Sequence, residues 1–179
     1  MKNVKRIVYI AIFSALIAVC SLIQIPYVVP FTLQTFAVFL TLLCLGGKSG
    51  TIAILVYIFS GVVGFPVFSG LRSGIGVLMS QTGGYIMGFV VQGLIYTFFE
   101  LFNFKHRDIL SLIVGLVALY TLGTVWFVFV STTNNPVGFA EALISCVLPF
   151  ILPDTAKMVI AIIIYHRLEK SKALKKLSI

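Results

Sequence analysis

Apolar residues run along this chain in six long stretches, at about 7–24, 32–46, 50–65, 83–103, 109–131 and 143–166, and most of the charged residues fall between or beyond them. A bilayer-crossing helix needs about 20 predominantly apolar residues, so stretches of this length predict membrane-spanning helices. The second is short. Its run of about 15 residues rises only about 22 Å, which predicts a thinned bundle at that point or a helix that begins inside a cavity. No hydrophilic stretch is long enough to fold as a separate soluble unit. The pattern therefore predicts an all-α integral membrane protein, a bundle of six transmembrane helices forming a single membrane-embedded domain over residues 1–179.

Composition agrees with the pattern. Sixty per cent of the 179 residues are hydrophobic and 10% are charged, against roughly 45–50% and 25% in soluble domains. A net charge of +8 would suit a nucleic-acid partner, but the placement of the basic residues points elsewhere. Lys2, Lys5 and Arg6 precede the first run, Lys48 joins the second and third, and Lys105 and Arg107 join the fourth and fifth. Arg167, Lys170, Lys172, Lys175 and Lys176 follow the sixth. Alternating spans put all of these on one side, leaving Arg72 on the other and Lys157 inside a span. Positive charge collects in the cytoplasm, so both termini are expected there, and no nucleic-acid partner is implied. The opening stretch "MKNVKRIVYIAIFSALIAVCSLI" is longer than a usual signal h-region and has no clear small-residue cleavage site, so it reads as a retained first helix. Cys20, Cys44 and Cys146 lie in apolar surroundings and read as small buried hydrophobes, not as a disulfide framework.

On this topology the outer connections are 25–31, 66–82 and 132–142. The middle one, "PVFSGLRSGIGVLMSQT", is apolar yet rich in Gly and Ser. An irregular apolar segment avoids water by packing into the bundle mouth or lining a cavity, so 66–82 is expected to act as a lid; a loop lying flat at the interface is the competing arrangement.

Charge inside the apolar runs carries the functional signal. In "LPFILPDTAKMVIAIIIY", Asp154 and Lys157 stand three residues apart, on one face of a helix whose first turn is expected near 153 after Pro149 and Pro153. A carboxylate there is also favoured by the helix dipole, whereas a lysine gains nothing from it. A structural ion pair and a ligand site both satisfy this spacing. As a site, the pair offers an acceptor-rich carboxylate and a three-donor ammonium, suited to a small polar head group entering from outside. In "QTGGYIMGF", Gly83 and Gly84 permit close backbone approach to a ligand or a helix, and Tyr85 offers an aromatic face and a hydroxyl. Thr32, Gln34 and Thr35 in "VPFTLQTFAVFL" can cap the second span or meet a ligand. "GGKSG" is not a phosphate-binding loop, because that pattern needs a Gly at position 42, which is Leu. His106 and His166 stand alone, so neither a metal site nor a catalytic constellation is expected. Ala11 and Ala15, four apart in the first run, make a small-residue strip for packing within the bundle or docking another membrane protein.

Taken together, "VPFTLQTFAVFL", "GVVGFPVFSG…SQTGGYIMGF" and "LPFILPDTAKMVIA" resemble, in order and spacing, the BioY family of biotin-binding S components of energy-coupling factor transporters. The resemblance covers essentially the whole chain. It implies a six-helix bacterial plasma-membrane subunit with no catalytic residues and no cofactor. Such a subunit takes biotin from outside and associates with a transmembrane coupling subunit and two cytoplasmic ATPases. It also implies that Asp154 and Lys157, Gly83, Gly84 and Tyr85, and Thr32 and Gln34 contact the ligand, while Ala11 and Ala15 face the coupling subunit. Arg72 is a further candidate for the biotin carboxylate. The chain departs from the family pattern at Gln81, at Pro153 and at Arg72, all of which touch loop geometry. The competing class is a stand-alone proton-coupled carrier that titrates Asp154; an intramembrane enzyme is disfavoured by the thin acid–base inventory.

Overall fold

The structure, a computed structural model, describes residues 2–131 and 137–171. Lys172, Lys175, Lys176 and part of the 132–142 connection lie outside the described residues. In chain order the elements are α1 (Lys2–Leu22), β1 (Gln24–Ile25), β2 (Phe31–Thr32), α2 (Gln34–Val63) and α3 (Ile75–Met79). Then follow α4 (Gly83–Phe99), α5 (Arg107–Ser131), α6 (Phe139–Cys146) and α7 (Leu148–Lys170). Apart from a two-residue antiparallel ribbon that sets Gln24 opposite Thr32 and an isolated bridge between Phe68 and Arg72, the regular secondary structure of the described residues is helical. The α1, α2, α5 and α7 helices are long and apolar enough to cross a membrane, and α4 is a shorter apolar helix.

Although α2 is one element in chain order, it is not straight. Gly46 adopts φ 74° and ψ 172°, a backbone conformation that only glycine enters without strain, and the chain reverses there. Gln34 Nε2 donates to the Tyr57 hydroxyl at 3.1 Å; in an unbroken helix these groups would stand about 35 Å apart. Two antiparallel arms, 34–45 and 47–63, thus occupy the places expected for the runs at 32–46 and 50–65, with the break at Gly46. The second arm starts under the Glu100 carboxylate, whose Oε1 accepts from the Gly47 N–H at 2.8 Å and satisfies one of the donors a helix start leaves unpaired.

Small residues bring the helices together. A side chain added at Gly84 would meet Trp126 at 2.3 Å, one at Gly115 would meet Gln92 at 2.7 Å, and one at Gly123 would meet the Tyr85 ring at 2.3 Å. These contacts zip α4 against α5. Where lipid removes the hydrophobic driving force between helices, such close approach is what holds them. Replacing Gly84 with Val overpacks the contact with Trp126; the expected cost is about 1–3 kcal/mol, read as a lowered thermal unfolding midpoint in detergent.

Two expectations near the C-terminal span change. That span is divided: α6 ends at Cys146, and α7 begins at Leu148 with Pro149 in its first turn and Pro153 inside it. Pro149, not Pro153, takes the position at which a missing N–H costs nothing. Asp154 therefore sits in the second turn of α7, and the first turn holds no acidic residue, so capping by the helix dipole does not explain it.

The 66–82 segment packs down into the bundle. Phe68 is 1% exposed and meets Tyr57 edge-on with ring centres 5.7 Å apart. Ser21 donates to the Val67 carbonyl and Ser69 donates to the Gln24 side-chain oxygen. At the other end of the segment, Trp126 Nε1 donates to the Ser80 carbonyl at 3.0 Å.

Candidate functional site

Asp154 is 2% exposed, and each of its oxygens is engaged. Oδ1 accepts from Lys157 Nζ at 2.8 Å and from Thr35 Oγ1 at 2.9 Å, while Oδ2 accepts from the Tyr120 hydroxyl at 2.7 Å. Lys157 spends its remaining protons on the Thr32 carbonyl at 2.7 Å and on Thr35 Oγ1 at 3.1 Å. Burying two charges costs several kcal/mol per ion unless both are well paired and hydrogen-bonded, and this cluster meets that condition across three helices. An ionised carboxylate has about four lone-pair sites. Three are used, so Oδ2 retains capacity for one more donor.

The cluster forms one wall of a cavity that Thr32, Gln34, Tyr85, Arg72, Asp154 and Lys157 all line. Other walls are apolar: Phe68, Val77, Ile86, Phe89 and Leu119 contribute, as does Phe150, which stacks on Phe31 with ring centres 4.0 Å apart. Arg72 is exposed at the rim, with its Nε donating to the Ser69 carbonyl at 3.0 Å. Such a container suits a ligand with a polar head, an apolar body and an anionic end.

Seven of the residues singled out from sequence, Thr35 among them, thus share one cavity. Tyr85 lines it while its hydroxyl pairs with Thr124 Oγ1 at 3.3 Å. Gly83 and Gly84 do not line it. Both are buried, and a side chain at Gly83 would fall 1.7 Å from the Leu78 carbonyl oxygen, so this pair seats α4 beneath α3 and against Trp126. Ala11 and Ala15 are exposed on α1, whereas Ser14 and Ile17 are buried; the alanines face away from the bundle. Sequence reasoning missed Tyr120 altogether. Its one signal is a hydroxyl in the middle of an apolar run. Thr35 was visible only as a cap or a contact, and the structure makes it the bridge between Asp154 and Lys157.

An apolar helical bundle enclosing a cavity with a buried, hydrogen-bonded ion pair on its wall defines a multi-pass membrane protein of the ligand-binding kind. The chain belongs to the BioY family, whose model matches residues 1–173. It is 40% identical over 166 residues to a probable biotin transporter BioY of Pyrococcus horikoshii, covering 92% of this chain and 96% of that protein. To the biotin transporter BioY of Thermotoga maritima it is 37% identical over 171 residues, covering 93% and 96%. Its fold matches the 2.1 Å crystal structure of the S-component for biotin from an ECF-type ABC transporter, with a TM-score of 0.81, 28% identity, and coverage of 94% of this chain and 92% of that one.

Proposed function

We propose that this chain is the biotin-capturing subunit of an ATP-driven energy-coupling factor importer in the cell membrane. The observation that carries the reading is the cavity in which buried Asp154 faces apolar walls. Biotin has a fused ring with two ureido N–H donors and a C=O, an apolar thioether side, and a chain ending in a carboxylate. A ureido N–H suits Asp154 Oδ2, and the ring body suits the Phe68, Phe89 and Phe150 walls. All three protons of Lys157 are engaged, so its role is to hold α7 against the start of α2 and to balance Asp154. The carboxylate then goes to Arg72 at the rim.

In this reading α1, the two arms of α2, α4, α5 and α7 make six crossings with both termini cytoplasmic, and 66–82 is the lid. The chain performs no chemistry. A transmembrane coupling subunit and two cytoplasmic ATPases supply the work, and Ala11 and Ala15 meet the coupling subunit.

Equilibrium binding of labelled biotin to the purified chain tests the reading. Saturable binding without partners supports it; absence of binding overturns it. Uptake into liposomes holding this chain alone, driven by a pH gradient and indifferent to ATP, would assign Asp154 to a proton-coupled carrier instead. Arg72→Ala should weaken biotin about tenfold, a charge-assisted bond discounted for its exposed position, and should leave the binding of biotin methyl ester unchanged.

A further inference from the structure

Of the three side chains bonded to Asp154, Tyr120 is the one held there by a single bond. The Thr35 hydroxyl and the Lys157 ammonium are each tied to more than one partner across α2 and α7. Gln34 is bonded to Tyr57, the Tyr85 hydroxyl to Thr124, and Thr82 to Ser80. The Tyr120 hydroxyl makes one bond, to Asp154 Oδ2, and a phenolic O–H can swing about its C–O bond without moving the ring. It can therefore leave Asp154 without unmaking another contact. Leaving is unfavourable unless another donor takes its place on the carboxylate and another acceptor receives the hydroxyl.

A planar cyclic urea meets both conditions, because its N–H and C=O lie side by side on one edge. We propose that Tyr120 reads this edge: a ligand N–H replaces the hydroxyl on Asp154 Oδ2, and the freed O–H donates to the adjacent ligand carbonyl. One bond is exchanged and one is gained, so carboxylate and phenol together select a neutral N–H/C=O edge. This assignment rests on biotin being the ligand.

The test compares biotin, near neutral pH, with 2-iminobiotin, in which the ring C=O is replaced by an imine nitrogen that is protonated there to a guanidinium and so presents donors in place of the acceptor. In the full-length chain, Tyr120→Phe should weaken biotin about tenfold, the worth of one hydrogen bond, and should change 2-iminobiotin less than threefold. Equal weakening of both ligands would make Tyr120 a merely structural support, and an unchanged biotin affinity would remove it from the site; either overturns the assignment. Should the Phe variant fail to fold, the infrared stretch of biotin labelled with carbon-13 at the ureido carbonyl, bound to the wild-type chain, carries the test. A band lowered from its frequency in dry apolar solvent supports donation to the carbonyl, and an unshifted band overturns it. A wild-type chain that binds no biotin overturns the function reading itself, and this assignment with it.

Discussion

Replacing Asp154 with alanine should lower biotin affinity roughly a hundredfold or more, measured by equilibrium binding to the purified chain. Two losses combine. The ligand loses a charge-assisted hydrogen bond of about 1.5–3 kcal/mol, and Lys157, whose side chain is only 14% exposed, loses its counter-charge. Breaking a buried ion pair by removing one partner costs about 3–5 kcal/mol, part of which appears as a wall that no longer holds the start of α2 against α7. Asp154→Asn separates the two losses. It keeps the shape and one acceptor oxygen but removes the charge, so Thr35, Tyr120 and Lys157 compete for that one oxygen. The Asn variant should therefore bind weakly as well, while unfolding at a temperature closer to wild type than Ala does. Wild-type affinity in the Ala variant would remove Asp154 from the site.

Asp154 was legible in the sequence because an ionisable residue inside an apolar run has to be explained by a partner or a cavity. The long apolar helices were legible for a related reason: lipid allows few backbone solutions, and each needs a long apolar stretch. The fold-back of α2 was visible through Lys48 between two apolar runs, although its exact pivot at Gly46 depends on a backbone angle that no hydropathy pattern encodes. The start of α7 was misplaced because two prolines compete for one role, and which of them opens the helix depends on α6 ending just before Leu148. Gly83 and Gly84 show the limit from the other side. A glycine pair announces close approach but not to what, and here the neighbours are Leu78 and Trp126. Tyr120 was hidden because its meaning is wholly tertiary. Its partner lies 34 residues away, and a single tyrosine in an apolar helix has no spacing signature.

Placing Trp at both Ala11 and Ala15 should reduce ATP-driven biotin uptake by the assembled transporter to background while leaving the affinity of the isolated chain within about twofold. The orientation of α1 is the reason. Ser14, Ile17, Cys20 and Ser21 are buried on its inner face, whereas Ile12 and Val19 are exposed beside Ala11 and Ala15 on its outer face. Small side chains on the outer face do nothing for packing within this chain, and a lipid-facing surface has no need of them. They matter where another helix comes close, since in lipid two helices gain from contact only as far as their backbones can approach. Two indole rings would hold a coupling helix off without touching the cavity, which α2, α4, α5 and α7 line at a distance from these positions. Co-purification with the coupling subunit and ATPases measures the first effect, and labelled-biotin binding measures the second. If binding and assembly fell together, the substitutions would be acting through the fold of α1, which reaches the 66–82 segment through the Ser21 bond to Val67, and the docking role would fall.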